Sequence, residues 1–340
     1  MQLSIVIPVY NEIESLPVLI STLRRVMDSK QYSYEVIFID DGSTDGTTDL
    51  LRKTASENPK IKALFFSRNF GHQAAITAGL DFASGDAVAV MDADLQDPPE
   101  LLPEMLGLME QGYDVVSAQR VTRSGEGTLK LLTAKIFYWL MRKMVDERLQ
   151  TEVGDFRLFS RRAILAIGQL REQHRFMRGM VAWLGLREVI LPYNRNPRVA
   201  GTTKYSAWKM IRFAWTAISS FSTLPLRLSV FLGFFVAACG LGYAIYSVFA
   251  ATVLKATVPG WTSLVCLNII FSGATLVAVG LVGEYVARIY EEAKGRPLYV
   301  VESTANVASV QPPVAKAVIL PPAAGERKTY EATAGKTHHV

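Results

Sequence analysis

Cysteine is nearly absent from this chain of 340 residues: there are two, Cys239 and Cys266, both inside strongly apolar stretches. The N-terminal half has none, which excludes a disulfide framework or a cysteine metal centre there and fits a reducing compartment. Glycine is missing where a dinucleotide fold needs it. The first strand-like run leads into Pro8-Val9-Tyr10-Asn11-Glu12, with no G-x-G-x-x-G turn, and no Walker lysine motif occurs. A phosphate bound here is therefore expected to be held by cations rather than by a glycine nest. Met1-Gln2-Leu3 runs straight into a strand pattern, so no signal peptide is expected. The net charge is only +5, which gives no reason to expect nucleic acid and suits an anionic lipid surface or phosphate substrates.

Charge is absent altogether from two long runs. From Leu228 to Leu254 the only ionisable side chains are Cys239 and two tyrosines, and a second uncharged run ends at Gly283. Each exceeds the ~20 residues that cross a bilayer, and core helices rarely stay uncharged so long. Spans are expected at 228–254 and 262–286, joined through a Pro259-Gly260 turn. Arg212 and Arg227 precede the first, Arg288, Lys294 and Arg296 follow the second, and the connecting loop holds only Lys255. The positive-inside rule then predicts a multi-pass inner (plasma) membrane protein with both termini and residues 1–227 in the cytoplasm. Leu129, Leu132, Ile136, Trp139 and Leu140 share one face of a helix near 128–145, and Trp208, Ile211, Trp215 and Ile218 one near 206–224. Stripes with Trp and flanking basic residues suit the headgroup region, the alternative being helices packed on the sheet. Exposed helices of this kind would also allow a homo-oligomer. A return segment is expected at 287–302, and 303–340, rich in Ala, Pro, Thr and Lys, reads as a disordered tail.

The first part alternates apolar strand-like runs (3–7, 35–39, 62–66, 87–91, 114–117) with helical patterns, and Ser43 or Thr44 can cap the second helix. This predicts an α/β fold with a doubly wound, mainly parallel sheet covered on both faces, and ligands beyond the carboxyl ends of the strands. All these strands precede Leu228, so the sheet is expected to be complete, and able to bind nucleotide, without the spans. Acidic residues crowd the strand ends: Asp40-Asp41-Gly42-Ser43-Thr44-Asp45 after the second, Asp92-Ala93-Asp94-Leu95-Gln96-Asp97 after the fourth. A lone Asp-Gly signals only a turn. Two such clusters on one sheet edge repel unless a cation compensates them, and Asp92-x-Asp94 offers two hard oxygen ligands for Mg²⁺ or Mn²⁺ bridging phosphates.

The segments IVIPVYNE, DDGSTD, SRNFGHQAAITAGL and MDADLQDPPE, with GDFRLFSR, RVAGTTKYS and GRPLYVV further on, resemble the family-2 inverting glycosyltransferases over roughly residues 3 to 301. The nearest likeness is to the polyprenyl-phosphate branch, which holds dolichol-phosphate mannose synthases and bactoprenol glucosyltransferases. The resemblance implies a GT-A fold, a nucleotide-sugar donor, a polyprenyl phosphate acceptor and a membrane setting. It implies that Pro8, Tyr10, Glu12, Asp40, Asp41, Arg68 and Asp92 bind the nucleotide sugar, Asp40 reading the base edge. Asp92, Asp94 and Gln96 would hold the divalent ion. Arg120, Arg198, Lys204 and Tyr205 would face donor or acceptor phosphates. Asp94 and Asp155 are the catalytic candidates; Asp155 is open between general base, positioning residue, and a helix cap or partner of Arg157 or Arg161.

A polyprenyl phosphate is largely dianionic at neutral pH, its second pKa being near ~6, so it can attack without a strong base. The LQDPPE version resembles the glucosyltransferases and favours UDP-glucose, with GDP-mannose as the alternative donor. A processive polysaccharide synthase is disfavoured because no Q-x-x-R-W motif occurs. A non-catalytic membrane scaffold that merely keeps a nucleotide site has no need of Asp92, Asp94 and Gln96 together.

Overall fold

In a computed structural model, residues 2–30, 32–121, 153–194, 222–253, 260–307 and 318–319 are described. Both stretches expected to form amphipathic helices, apart from 222–224, lie outside them, as do Arg198, Lys204 and Tyr205. The described residues divide into two compact units: 2–121, 153–194 and the residues from 297 onward in one, and 222–253 with 260–296 in the other.

The first unit is built on a mixed sheet. Its strands are β1 (Gln2–Val9), β2 (Ser33–Asp40), β3 (Ile61–Phe66), β4 (Ala87–Val90), β5 (Val115–Arg120), β6 (Val153–Ser160), β7 (Glu188–Tyr193), β8 (Val300–Ala305) and β9 (Val318–Ile319). They lie in the order β7-β5-β6-β4-β1-β2-β3-β8-β9. β4, β1, β2 and β3 are parallel, while β6 and β8 run antiparallel to β4 and β3. The expected parallel core is present as β4-β1-β2-β3, and it is flanked by antiparallel β6 and β8. β1 and β2 are buried from their second residue on, as strands covered on both faces must be.

Helices α1 (Leu16–Ser29), α2 (Thr47–Glu57), α3 (His72–Phe82), α4 (Leu102–Glu110), α5 (Arg161–Gln169) and α6 (Met177–Leu184) belong to the same unit. In α1 the buried residues are Leu16, Leu19, Leu23 and Met27, a helical repeat that meets the sheet along one stripe. α3 is almost wholly buried, and Gly79 is why it can lie so close: a Cβ there would stand 2.1 Å from Val6 Cγ1. The expected cap of α2 moves. The helix begins only at Thr47, whose amide donates to Asp45 Oδ1 (3.0 Å), and Ser43 and Thr44 serve the neighbouring loop instead.

The C-terminal segment corrects two expectations. β8 continues to Ala305, past the 302 boundary expected for the tail, and pairs with β3 inside the sheet. Asn306 Nδ2 then donates to the carbonyls of Asn58 (3.2 Å) and Ile61 (2.9 Å), stitching the segment to the α2–β3 turn. The sheet is therefore not complete ahead of residue 228, since a strand encoded after both apolar helices belongs to it.

In the second unit α7 (Leu224–Thr252) and α8 (Trp261–Ala293) pack together. The first helix starts four residues ahead of the expected 228, and the second runs seven residues beyond the expected 286. Both are long and apolar enough to cross a membrane, with almost none of the apolar surface buried. Phe231, Phe234, Phe235, Ile269 and Leu276 all face outward. Such exposure is unstable in water and natural in lipid.

At the amino ends of the strands a buried carboxylate joins four segments. Glu35 accepts from Ser4 Oγ (2.5 Å) and from Ser84 N (2.9 Å), and pairs with Lys62 of β3. Burial raises its pKa, but Lys62 and the hydroxyl and amide donors outweigh it and hold the carboxyl below its ordinary value. That contribution to stability is present above the unfolded value near ~4.3 and is lost as pH falls through the folded one. Lys62→Met leaves burial as the dominant influence, so it should cost about 3 kcal/mol at pH 7. The deficit should shrink as pH falls, because the variant's buried carboxyl, no longer held down by Lys62, takes up its proton before the wild-type one does. Thermal melts of both proteins in detergent from pH 4 to pH 8 give the measurement.

Candidate active site

The carboxyl edge of the parallel strands is assembled by loops that hold one another. Asn11 N donates to Ser43 Oγ (2.9 Å), Thr44 N returns a bond to Asn11 Oδ1 (2.8 Å), and Glu12 N donates to Thr47 Oγ1 (3.0 Å). The turn after β1 is thereby fixed to the turn after β2. The second turn grips the third: Asp41 accepts from Phe70 N (2.6 Å) and Gly71 N (2.9 Å), just where α3 begins. Burial pushes the Asp41 carboxyl up, and these two amides offset part of that push. Gly42 makes the contact sterically feasible. Its φ is +75°, and a Cβ would lie 2.9 Å from the backbone of Arg68 and Asn69.

The nucleotide candidates fall around this junction. Pro8 is buried within β1, opposite Ile39 of β2, and Tyr10 is exposed at the strand's end. Glu12 accepts from Ser15 Oγ (2.8 Å) at the start of α1. Asp40 is buried and accepts from Ser43 N (2.9 Å) and from the Thr48 hydroxyl. Arg68 lies over the Phe70 ring at 4.3 Å.

The fourth strand end carries the acidic turn. Leu95 adopts φ +58°, unusual for a bulky side chain, between Asp94 and Gln96, and Gln96 N donates to Asp94 Oδ1 (3.2 Å). Strain of this kind is kept only where surrounding structure imposes it. Asp97 is fully buried and accepts from Tyr193 Oη of β7. Arg120 at the end of β5 joins them, with Nη2 3.7 Å from Asp97 Oδ1 and Nε donating to Tyr193 Oη (3.3 Å).

Asp155 reaches the same edge because β6 is antiparallel: Arg157 pairs with Val90, the last residue of β4, so Asp155 lies beyond that strand's end. His72 Nε2, at the start of α3, is 3.2 Å from Asp155 Oδ2 and 3.6 Å from Asp92 Oδ1. Arg178 Nε of α6 is 3.5 Å from Asp155 Oδ1. Burial works against the Asp155 charge, yet the His72 bond and the Arg178 charge hold its carboxyl well below the usual carboxylate range. His72 moves the other way: burial opposes its charge, but Asp155 and Asp92 raise its pKa. Of the partners considered for Asp155 from sequence, the Arg157 charge adds a smaller lowering influence, while Arg161 is engaged elsewhere. Arg157 is buried and 4.0 Å from Glu188, and Arg161 donates to Ala83 O (2.8 Å).

Asp92 collects the consequences. Burial raises its pKa, His72 lowers it, and Asp97, Asp155 and Asp94 raise it again. A cation placed here would relieve that repulsion. Among the described residues no three His, Cys, Asp or Glu side chains converge to hold a metal unaided. Asp92 and Asp94 offer two hard oxygen donors, which fits a Mg²⁺-like ion that completes its shell with water and ligand phosphates. His72, Arg178 and Tyr193 are the members that sequence reasoning missed, and Asp97 belongs to the acidic turn seen in the sequence but has no role assigned there. His72 follows β3 and could have been found by the strand-end rule. Tyr193 ends β7, a strand not anticipated from the sequence, and Arg178 lies on a helix and carries no such signal.

Residues 4–168 match the family described as Glycosyl transferase family 2. The chain is 42% identical over 306 residues to the uncharacterized glycosyltransferase YkcC of Bacillus subtilis, covering 90% of this chain and 95% of that protein. It is 43% identical over 300 residues to the uncharacterized glycosyltransferase sll0501 of Synechocystis, covering 88% and 94%. It is 40% identical over 304 residues to the bactoprenol glucosyl transferase of Shigella phage SfII, covering 89% and 98%.

Gly42→Ala tests the loop junction. The added methyl meets backbone rather than a yielding side chain, in a conformation alanine resists, so stability should fall by about 2 kcal/mol or more. Melting temperatures of the two full-length proteins measure it; an unchanged value would show that the 40–45 and 68–71 turns are not in rigid contact.

Proposed function

Because the chain belongs to glycosyl transferase family 2 and is a glycosyltransferase, we propose that it moves glucose from UDP-glucose onto polyprenyl (undecaprenyl) phosphate with inversion. The product would be a lipid-linked sugar phosphate for cell-surface glycan modification. What supports this reading above all is the 40% identity to a protein named bactoprenol glucosyl transferase along 98% of that protein's length, apolar helices included. The catalytic unit would sit on the cytoplasmic side, as expected from the basic residues that flank α7 and α8, with those helices spanning the membrane.

The chemistry follows from charge. An oxygen of the lipid phosphate forms a bond to the anomeric carbon as the bond to the nucleoside diphosphate breaks, with inversion. Asp92, Asp94 and Gln96 would hold a divalent ion, which when bound supplies Lewis-acid stabilisation to the departing diphosphate. Arg120 would help bring two anions together, with Arg198, Lys204 and Tyr205 assigned to the same task. Pro8, Tyr10, Glu12, Asp40, Asp41 and Arg68 would shape the nucleotide side. Asp155 acts as a positioning residue in this scheme: a carboxyl held ionised by His72 and Arg178 is a weak proton acceptor, and a dianionic phosphate needs little help.

A donor screen with purified protein and undecaprenyl phosphate, read by mass spectrometry of the lipid, tests the proposal. Hexosyl lipid from UDP-glucose is expected; product only from GDP-mannose would overturn the sugar, and no lipid product from any donor would overturn the acceptor. Asp94→Asn should lower turnover at least ~100-fold, with chelator abolishing activity and Mg²⁺ or Mn²⁺ restoring it. Asp155→Asn should slow single turnovers by a similar factor at pH 6 and pH 8.5. A defect that vanishes at the higher pH, where the lipid phosphate has lost its proton unaided, would instead make Asp155 the base.

A further inference from the structure

Tyr299 is one of the most buried side chains of the sheet unit, although it follows the second apolar helix in the chain. Its hydroxyl donates to Asp81 Oδ2 (2.8 Å), near the carboxyl end of α3. Arg171 holds the same carboxylate with both terminal nitrogens, at 2.8 and 2.7 Å, and donates from Nε to Gly168 O (2.9 Å). Arg171 opens the segment 171–178 that leads into α6. That segment ends on the site, with Met177 N donating to Gln73 Oε1 (3.1 Å) and Arg178 beside Asp155. The Tyr299 ring makes a second connection. It stacks on Phe66 (5.3 Å, 11°), Phe66 meets Phe70 edge to face (5.6 Å, 87°), and Phe70 belongs to the turn gripped by Asp41.

One side chain thus supports both active-site segments by different chemistry, its hydroxyl serving 171–178 and its ring serving 68–71. We propose that Tyr299 is a positioning residue for the transfer reaction, coupling the segment that follows the apolar helices to the placement of Arg178 against Asp155. A bidentate carboxylate–guanidinium pair fixes direction as well as distance, and the added phenol donor keeps Asp81 turned toward Arg171. Removing that donor frees the carboxylate to rotate while the aromatic stack keeps the ring in place. The loss is then local, and it falls on the side of the site that holds Asp155.

Tyr299→Phe in the full-length protein separates the two functions of the side chain. Hydrogen–deuterium exchange of amides in 171–178 should accelerate at least ~5-fold, while α1 and the 68–71 turn stay unchanged. The rate of single-turnover transfer should fall ~10-fold with the dissociation constant for UDP within ~2-fold of wild type. Asp81→Asn, which keeps the shape but weakens the pair with Arg171, should show the same regional exchange. Unchanged exchange in 171–178, or acceleration spread over α1 as well, overturns the proposal. The rate arm rests on the transfer reaction proposed above, and the exchange arm does not. A wild-type protein without transferase activity would therefore sink that reading while the coupling is still judged by exchange alone.

Discussion

Four carboxylates converge where the parallel strands end, and everything else at that edge answers their repulsion. Asp92, Asp94 and Asp97 come from the turn after β4, bent at Leu95 by its left-handed conformation, and Asp155 comes from β6. Like charges packed this closely are tolerable only with cations or donors among them. His72 and Arg178 stand against Asp155, and Arg120 with Tyr193 against Asp97. Asp92 also has His72 Nε2 at 3.6 Å, and it and Asp94 are the pair to which the proposed divalent ion is assigned. The site is thus organised as an acidic centre with a cationic surround, which suits a reaction that brings two phosphate-bearing molecules together.

The surround is only as well placed as the loops that carry it. Parallel strands leave their connecting turns side by side, and here the turns are cross-bonded rather than merely adjacent. Asn11 and Ser43 join the first two, and Asp41 joins the second to the third through backbone amides. Residues that would pass for nucleotide ligands therefore also hold the scaffold, Asp40 and Asp41 most clearly. α3 then transmits the order along its length, from His72 and Gln73 at one end to Asp81 at the other. The close seat allowed by Gly79 leaves this helix little freedom to shift.

The order of elements along the chain has a mechanical meaning. Two apolar helices are inserted between β7 and β8, yet β8 pairs with β3 toward one edge of the first unit's sheet. The sheet unit is closed by a strand encoded after both apolar helices, so those helices are an insertion within a domain rather than an appendage to it. Tyr299 is where that closure is most tightly held, by burial, by a hydrogen bond and by stacking. A chain stopped ahead of the apolar helices loses all three at once, together with the edge that β8 covers.

Local pattern was enough to determine β1 to β5, the helices between them, the acidic turns after β2 and β4 and the two apolar helices, because each is written in neighbouring residues. Periodicity identifies α1, and an absence of charge identifies α7 and α8. The strand-end rule led to Asp40, Asp41, Asp92 and Asp94 without any knowledge of partners. Tertiary structure alone decided what those residues meet. Asp155 is 83 positions from His72 and becomes its neighbour only because β6 is antiparallel, which sequence periodicity does not reveal. Tyr299 read as part of a return segment, and its burial depends on a pairing between β3 and a strand more than two hundred residues away. Local sequence records what each backbone segment prefers to be; which side chains share a charge or a contact is settled by strand direction and by the order in which strands join the sheet.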